Sequence, residues 1–333
     1  MAVTLKDVAE MAGVSRSAVS RTFTPGASVS DKTRRKVMKA ADALGYSPNA
    51  LASSLTTGKT RLIGLVSNNF HNPLFLEVFD LFTRGLQERG LRPLLVNLTD
   101  EVDPANSLRM LRQYSVDGVI IASSTLTPSF AEAFRNAGLP VVHSFGRWSS
   151  QPRTDLVGID NVACGRMAAE TLLARGYRRL GFIGGPETAT STQDRLAGFR
   201  AALAEAGVTP DVTHAGAYTF DAGRAAMQSV LVNGQPAEAY FCADDVLSIG
   251  VLSALEEAGL DVPTDVGVIG LNDMKMSAWS SINLTTIHQP VAEMINASVE
   301  MVVRAADSPD RLPEARLFPC RIVERGTLRP VSP

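Results

Sequence analysis

Arg16, Ser17, Ser20 and Arg21 recur at one-turn spacing, and on a helix they share the side opposite Ala18, Val19 and Thr22. A guanidinium can donate two hydrogen bonds to the O6 and N7 of guanine, and a serine hydroxyl can meet a base edge or a phosphate. Such a face suits groove reading on a nucleic acid; a purely electrostatic role for the two arginines is the alternative. A second set of polar residues lies further along the chain. Arg195 offers several fixed donors to sugar hydroxyls, purine edges or carboxylates, unless it is spent in a surface ion pair. Short polar runs accompany it: Asn68-Asn69, Ser123-Ser124, Ser144 to Arg147, Asp160, Thr190 to Arg195, Asp244-Asp245 and Asn272-Asp273. Phe145 and Tyr218 add rings able to stack on a sugar or a base.

Catalytic spacing is missing. There is no GxGxxG loop, no phosphate-binding GxxxxGK[ST] loop, no HExxH and no GxSxG, and His71, His143, His214 and His288 are dispersed. Asp244, Asp245 and Asp273 could in principle hold a metal, but loop capping is the simpler role. The chain is expected to be no enzyme and to need no metal or cofactor. Its 333 residues, 45% hydrophobic and 20% charged, fit two or three ordinary globular domains. Three widely spaced cysteines, Cys164, Cys242 and Cys320, are expected to be reduced thiols. No apolar run approaches the roughly 20 residues of a membrane span, and the first residues alternate charged and apolar types, unlike a signal peptide. A cytoplasmic protein without a membrane partner is expected. Charge is unevenly spread: residues 1–60 hold nine Lys and Arg against four acids, and the rest holds 23 against 30. A basic head on an acidic body points to a polyanion partner for the head alone.

The elements that must position these residues follow from periodicity and caps. Thr4 with Asp7 three residues on makes a capping box, Leu5, Val8, Ala9 and Ala12 form an apolar stripe, and Gly13 stops the helix. Ser15 caps a second helix, Arg16–Phe23, and Ser30 caps a third, Asp31–Leu44, ended by Gly45. Two short helices joined by a tight Gly turn make a helix-turn-helix. Residues 48–58 hold less than two turns of potential helix, too short to be stable alone; by themselves they read as a linker. From residue 61, strand patterns (62–67, 92–98, 118–123, 140–145, 156–159, 179–184, 239–243, 266–271) alternate with helical ones (74–89, 105–114, 129–137, 161–175, 195–206, 223–232, 246–258, 291–306). Alternation of this kind predicts parallel sheets covered on both faces. Its length suits two doubly wound lobes, with the polar runs converging at strand carboxyl ends.

The segment Thr4-Leu-Lys-Asp-Val-Ala-Glu-Met-Ala-Gly-Val-Ser15, followed by Ala18-Val-Ser-Arg21, Val29-Ser-Asp-Lys-Thr-Arg34, Leu44-Gly-Tyr-Ser-Pro-Asn-Ala50 and Leu51-Ala-Ser-Ser-Leu55, resembles the lactose-repressor/galactose-repressor family of bacterial transcription regulators. The likeness continues to Glu324-Arg325. It implies a small all-α helix-turn-helix head (1–47), a hinge (48–60) and an α/β effector-binding and dimerisation domain (61–333) of two periplasmic-binding-protein-like lobes, with the chain crossing between lobes three times. It implies a homodimer on double-stranded operator DNA, controlled by a small-molecule effector. Arg16, Ser17 and Arg21 would read bases, Ser15 and Ser20 would hold phosphate, and Thr4, Asn49 and Ala52 would also touch DNA. The hinge would turn helical on the operator, with Leu55 as a wedge in the minor groove. Effector contacts would come from Leu74, Phe75, Ser123, Phe145, Arg147, Asp160, Arg195, Tyr218, Asp245 and Asn272, with Arg195 as chief anchor. Many relatives carry Asp where Asn272 stands. Loss of that carboxylate, with Arg147 nearby, favours an anionic sugar acid or sugar phosphate; a neutral sugar bonded to the amide is the competing view. Leu74 replaces an aromatic of the corepressor type and argues against a stacked purine. A nucleoside-responsive regulator and a sugar-binding protein without DNA function remain alternatives.

Overall fold

The computed structural model describes residues 3–24, 26–48, 54, 58–98 and 104–331. The chain divides into two compact units, Met1–Arg61 and Leu62–Pro333. In the first, α1 (Leu5–Ala12), α2 (Arg16–Phe23) and α3 (Asp31–Leu44) enclose a miniature core of Val8, Ala9, Val19, Val37, Ala40 and Ala41. Its capping reads directly from sequence. Thr4 and Asp7 make the reciprocal capping box, Ser15 and Ser30 accept from the backbone three residues on, and Gly13 and Gly45 close their helices in the left-handed conformation. Arg34 donates to the Thr22 carbonyl at 3.1 Å, tying α3 to the end of α2.

The second unit has two six-stranded sheets. One lobe carries the order β11-β5-β4-β3-β1-β2 and is parallel throughout; the other carries β12-β10-β9-β8-β6-β7, in which only the β10–β12 pair is antiparallel. The first lobe uses β1 (Leu62–Ser67), β2 (Arg92–Asn97), β3 (Gly118–Ala122), β4 (Val141–Ser144), β5 (Asp155–Gly158) and β11 (Ala315–Leu317). Its helices are α4 (Leu74–Glu88), α5 (Ala105–Gln113), α6 (Pro128–Asn136) and α11 (Val291–Asp307). The second lobe uses β6 (Leu180–Gly184), β7 (Asp211–His214), β8 (Ala239–Cys242), β9 (Gly267–Asn272), β10 (Thr286–His288) and β12 (Arg321–Val323). Its helices are α7 (Asn161–Ala174), α8 (Thr190–Glu205), α9 (Phe220–Asn233) and α10 (Asp245–Glu257).

Alternate side chains of the central strands feed different cores. Ile63, Leu65, Ile120 and Val142 face α4 and α11, whereas Val66, Val119, Ile121 and Val141 join Leu111 of α5 and Phe130 and Phe134 of α6. Burial on both faces explains why these strands read as continuous apolar runs. The chain passes between lobes after β5, after β10 and after β11. Among the described residues no helix is long and apolar enough to cross a membrane.

Two features depart from expectation. The helix expected from Arg195 begins at Thr190, so Arg195 sits in its second turn. The strands β7, β10, β11 and β12 and the 3-10 turn Lys275–Ala278 have no counterpart in the sequence pattern; at three or four residues each they are too short to show a period. The helices α7 and α8 approach so closely that a Cβ on Gly165 would lie 2.0 Å from the Arg195 carbonyl oxygen, and one on Gly198 would lie 1.9 Å from that of Val162.

Candidate functional site

In the head, Ser15, Arg16, Ser17, Ser20 and Arg21 are all exposed on α2. The buried Val19 and Thr22 anchor the opposite side. Among the described residues no acid pairs with Arg16 or Arg21, so both guanidinium groups project into solvent. The Ser15 hydroxyl serves as the N-cap, accepting from the Ala18 N–H at 3.2 Å, and lies 2.9 Å from the Ser17 hydroxyl. The Thr4 hydroxyl donates to Asp7 at 2.8 Å. Asn49, Ala52 and Leu55, expected to contact DNA, lie outside the described residues.

In the body, a narrow cavity of about 20 Å³, room for roughly one water, lies between the closed lobes. Leu74 and Phe75 from the first turn of α4, Phe145 after β4, Ile159 in the first crossover and Met294 of α11 form its apolar wall. Phe75 and Phe145 meet each other at 5.9 Å between ring centroids, tilted by 53°. Arg195 is buried. Its Nε donates to Asn161 Oδ1 at 2.8 Å and its Nη1 donates to the Ala243 carbonyl at the end of β8. Tyr218 completes this side, its hydroxyl 2.6 Å from that of Thr192 and 3.1 Å from that of Ser191.

The centre of the polar wall is Asp244. Its Oδ1 accepts from the Val246 N–H at 2.8 Å, capping α10. Its Oδ2 accepts from Asn272 Nδ2 at 2.8 Å and, across the cleft, from Asn72 Nδ2 at 3.0 Å. Gln289 Nε2 in turn donates to Asn272 Oδ1 at 2.6 Å. Burial, reinforced by the neighbouring Asp245 charge, pushes the Asp244 carboxyl up to about 7. Phe145 (φ 64), Asn272 (φ 130) and Asp273 (φ 57) hold left-handed backbone at strand ends that face the cleft. Such conformations cost roughly 1–3 kcal/mol each and concentrate at functional sites.

Six of the ten residues expected to meet the effector thus line one cavity: Leu74, Phe75, Phe145, Arg195, Tyr218 and Asn272. Four do not. Ser123 turns into the loop network after β3, donating to Asn68 Oδ1 at 2.8 Å, and Ser124 lines the cavity instead. Arg147 makes an interlobe ion pair, its Nε 2.9 Å from Asp194 Oδ2, and so brings no free charge to an anion. Asp160 is exposed and caps α7 through the Ala163 N–H at 2.9 Å; its neighbour Asn161 faces the cavity. Asp245 is fully buried behind the wall, accepting from the Met274 N–H at 2.8 Å, the Ser277 hydroxyl at 2.7 Å and Thr286. Sequence reasoning missed Asn72, Asn161 and Gln289. It placed Asp244 among the strand-end residues converging on the cleft but chose its neighbour Asp245 as the effector contact.

Neither feature that favoured an anionic effector is found in the cavity. The carboxylate missing at position 272 stands at 244, one hydrogen bond away, and Arg147 is already neutralised. Lobe closure is held by the Asn72–Asp244 bond, by Thr190 Oγ1 and Ser191 N–H donating to the Ser124 carbonyl at 3.0 and 3.2 Å, and by Arg147–Asp194.

Residues 4–49 match the family profile described as bacterial regulatory proteins, lacI family, and residues 169–328 match a periplasmic binding protein-like domain. The chain is 31% identical over 336 residues to the HTH-type transcriptional repressor PurR of Vibrio atlanticus, covering 99% of each chain. It is 33% identical over 331 residues to the ribose operon repressor of Escherichia coli, covering 97% of this chain and 99% of that one. Among solved structures, the lac repressor dimer bound to operator and the anti-inducer ONPF superposes with a TM-score of 0.89 at 27% identity, over 99% of this chain and 100% of that one. The complex of the transcriptional regulator CelR with cellobiose gives 0.73 at 28%, over 98% and 99%. With a solvent-facing arginine pair on the second helix of its head, a polar cavity between two parallel-sheet lobes, and relatives matched almost end to end, the chain belongs to the LacI family of bacterial transcription regulators.

Proposed function

We propose that the chain is a homodimeric repressor that binds operator DNA through residues 1–47 and a hinge at 48–60, and that releases or tightens this grip when an uncharged polyhydroxylated effector fills the cavity of residues 61–333. The observation that carries the effector class is the polar wall itself. Arg195 brings a charge, Asp244 a carboxyl raised to about 7, and Asn72, Asn161, Asn272 and Gln289 bring amides that both donate and accept. Such a wall matches vicinal hydroxyls, which also donate and accept. A net anion would force Asp244 to hold its proton beyond that value, a cost that an uncharged ligand avoids. The Phe75–Phe145 contact leaves the rings tilted against each other, a surface for the apolar face of a sugar and no parallel slot for a purine.

In the head, Arg16, Ser17 and Arg21 read base edges, while Ser15, Ser20 and the N-terminus of α2 hold phosphate. Thr4, Asn49 and Ala52 add backbone contacts, and Leu55 wedges the central base step. Effector and operator affect each other's affinity reciprocally, because each favours one arrangement of the lobes. The non-enzymatic reading rests on the named relatives, which are transcriptional repressors, and a cytoplasmic location follows from a DNA partner.

Titration calorimetry with neutral pentoses and hexoses, sugar acids, sugar phosphates and nucleosides tests the effector class. Binding of a neutral sugar that is lost in Arg195→Ala is expected; binding by anions alone overturns it. A gel shift on the DNA upstream of the gene tests the rest. Full-length protein should bind and residues 61–333 should not.

A further inference from the structure

Cys164 and Cys320 are distant in sequence and meet at the hinge between the lobes. Cys164 lies one turn into α7, just past the first crossover at Ile159 and Asp160. Cys320 lies in the third crossover, between β11 of one sheet and β12 of the other. Both thiols are free. Cys164 is buried in the main core, Cys320 is half-buried and packs on that core, the third crossover runs beside the first where the Phe318 N–H donates to the Gly158 carbonyl at 3.0 Å, and the two thiols interact. The Arg195 charge acts on both sulfurs. Neither thiol has a part in the cavity wall or the head.

We propose that Cys164 and Cys320 form a reversible, peroxide-sensitive disulfide that locks the hinge. Their environments divide the two roles such chemistry needs. Cys164 is fully buried whereas Cys320 is half-buried and reachable from solvent, and the nearby Arg195 charge favours a thiolate. Cys320, the more accessible thiol, is therefore the nucleophile. Its thiolate attacks one oxygen of hydrogen peroxide, the O–O bond breaks, and hydroxide leaves to be protonated to water. Cys320 is now a sulfenic acid. The Cys164 sulfur then attacks the Cys320 sulfur, the S–O bond breaks, and the departing hydroxyl takes the Cys164 proton as a second water. Two thiols have lost two electrons to one peroxide, and a dithiol reverses the bond by exchange.

The bond would staple the chain just after the first crossover to the third. These segments must shift against each other when the lobes open or close, so the oxidised protein would be held in one lobe arrangement, whichever effector fills the cavity.

The test uses the full-length chain and hydrogen peroxide. Peptide mapping without reductant should recover a cross-link joining the peptides of Cys164 and Cys320, cleared by dithiothreitol, absent from Cys164→Ser and Cys320→Ser and retained in Cys242→Ser. Hydrogen exchange at residues 158–161, 288–291 and 317–321 should slow on oxidation. Before oxidation, iodoacetamide should label Cys320 at least about tenfold faster than the buried Cys242. Peroxide that leaves both thiols intact, or that carries Cys320 to sulfinic acid without the cross-link, overturns the disulfide. A cross-link that leaves crossover exchange unchanged overturns the lock.

Discussion

Asp244 concentrates the electrostatics of the cavity in one side chain. Its carboxyl is raised to about 7 in the folded protein against an ordinary 3.8. Between these values the folded chain keeps a proton that the unfolded chain has released, so stability falls as pH rises from about 4 to about 7. Asp245, also raised by burial, contributes with the same sign. Replacing Asp244 with Asn should therefore flatten, without abolishing, the decline in urea-unfolding free energy across that window; up to about 4 kcal/mol is at stake. An unchanged slope would mean that Asp244 is ionised throughout. Arg21→Ala belongs to the same scale. It should cost about 1–3 kcal/mol on the specific operator and much less on random DNA, the signature of a bidentate base contact; equal losses in a competition gel shift would mark a phosphate contact. Legibility was uneven here. Arg195 and Phe145 fall in the polar runs after strands, whereas Phe75, and the anchoring role of Arg195, came from the family resemblance. Asp244 and Asp245 are adjacent and follow the same strand, and only the backbone turn at the α10 cap decides which carboxylate faces the cavity. Asp194, which claims Arg147, comes from the other lobe, and no local pattern announces it.

At the scale of elements, the α7–α8 contact fixes the position of Arg195. Gly165 lies against the Arg195 carbonyl itself, and Gly198 against that of Val162. Backbone sits on both sides, so an added methyl can be met only by moving the helices apart. Gly165→Ala should lower stability by roughly 1–3 kcal/mol, as overpacking does, and should also weaken effector binding, because the guanidinium moves with its helix. Unfolding and calorimetry on one preparation check both; a full loss of stability with untouched affinity would separate Arg195 from its helix contact. Most of these elements were visible beforehand. The head helices carry their caps in the sequence, and the long strands are apolar throughout because helices cover both faces. The short strands near the crossovers, β10 to β12, owe their pairing to neighbours brought by the rest of the fold. The early start of α8 escaped notice because Thr190-Ser-Thr-Gln looks like a loop; in the structure Thr190 and Ser191 serve lobe closure and Thr192 meets Tyr218.

For the whole molecule the telling interactions are the few that cross the cleft. Arg147 and Asp194 are 35% and 19% exposed, so solvent screening leaves their pair worth about 1 kcal/mol. Against a two-state opening of the lobes that is still a several-fold shift. Arg147→Ala should enlarge the radius of gyration of the ligand-free protein in small-angle scattering and weaken the effector about fivefold without touching any cavity-lining residue; an unchanged radius would show that the pair does not hold the lobes. The Asn72–Asp244 and Ser124–Thr190 bonds have a consequence in time as well as in affinity. A ligand between closed lobes can arrive and depart only while those bonds are broken. Stopped-flow binding should therefore level off with rising effector concentration at the rate of lobe opening, whereas simple collision would keep accelerating. How long a cell continues to respond after its effector is gone would then depend on a handful of interlobe hydrogen bonds and ion pairs.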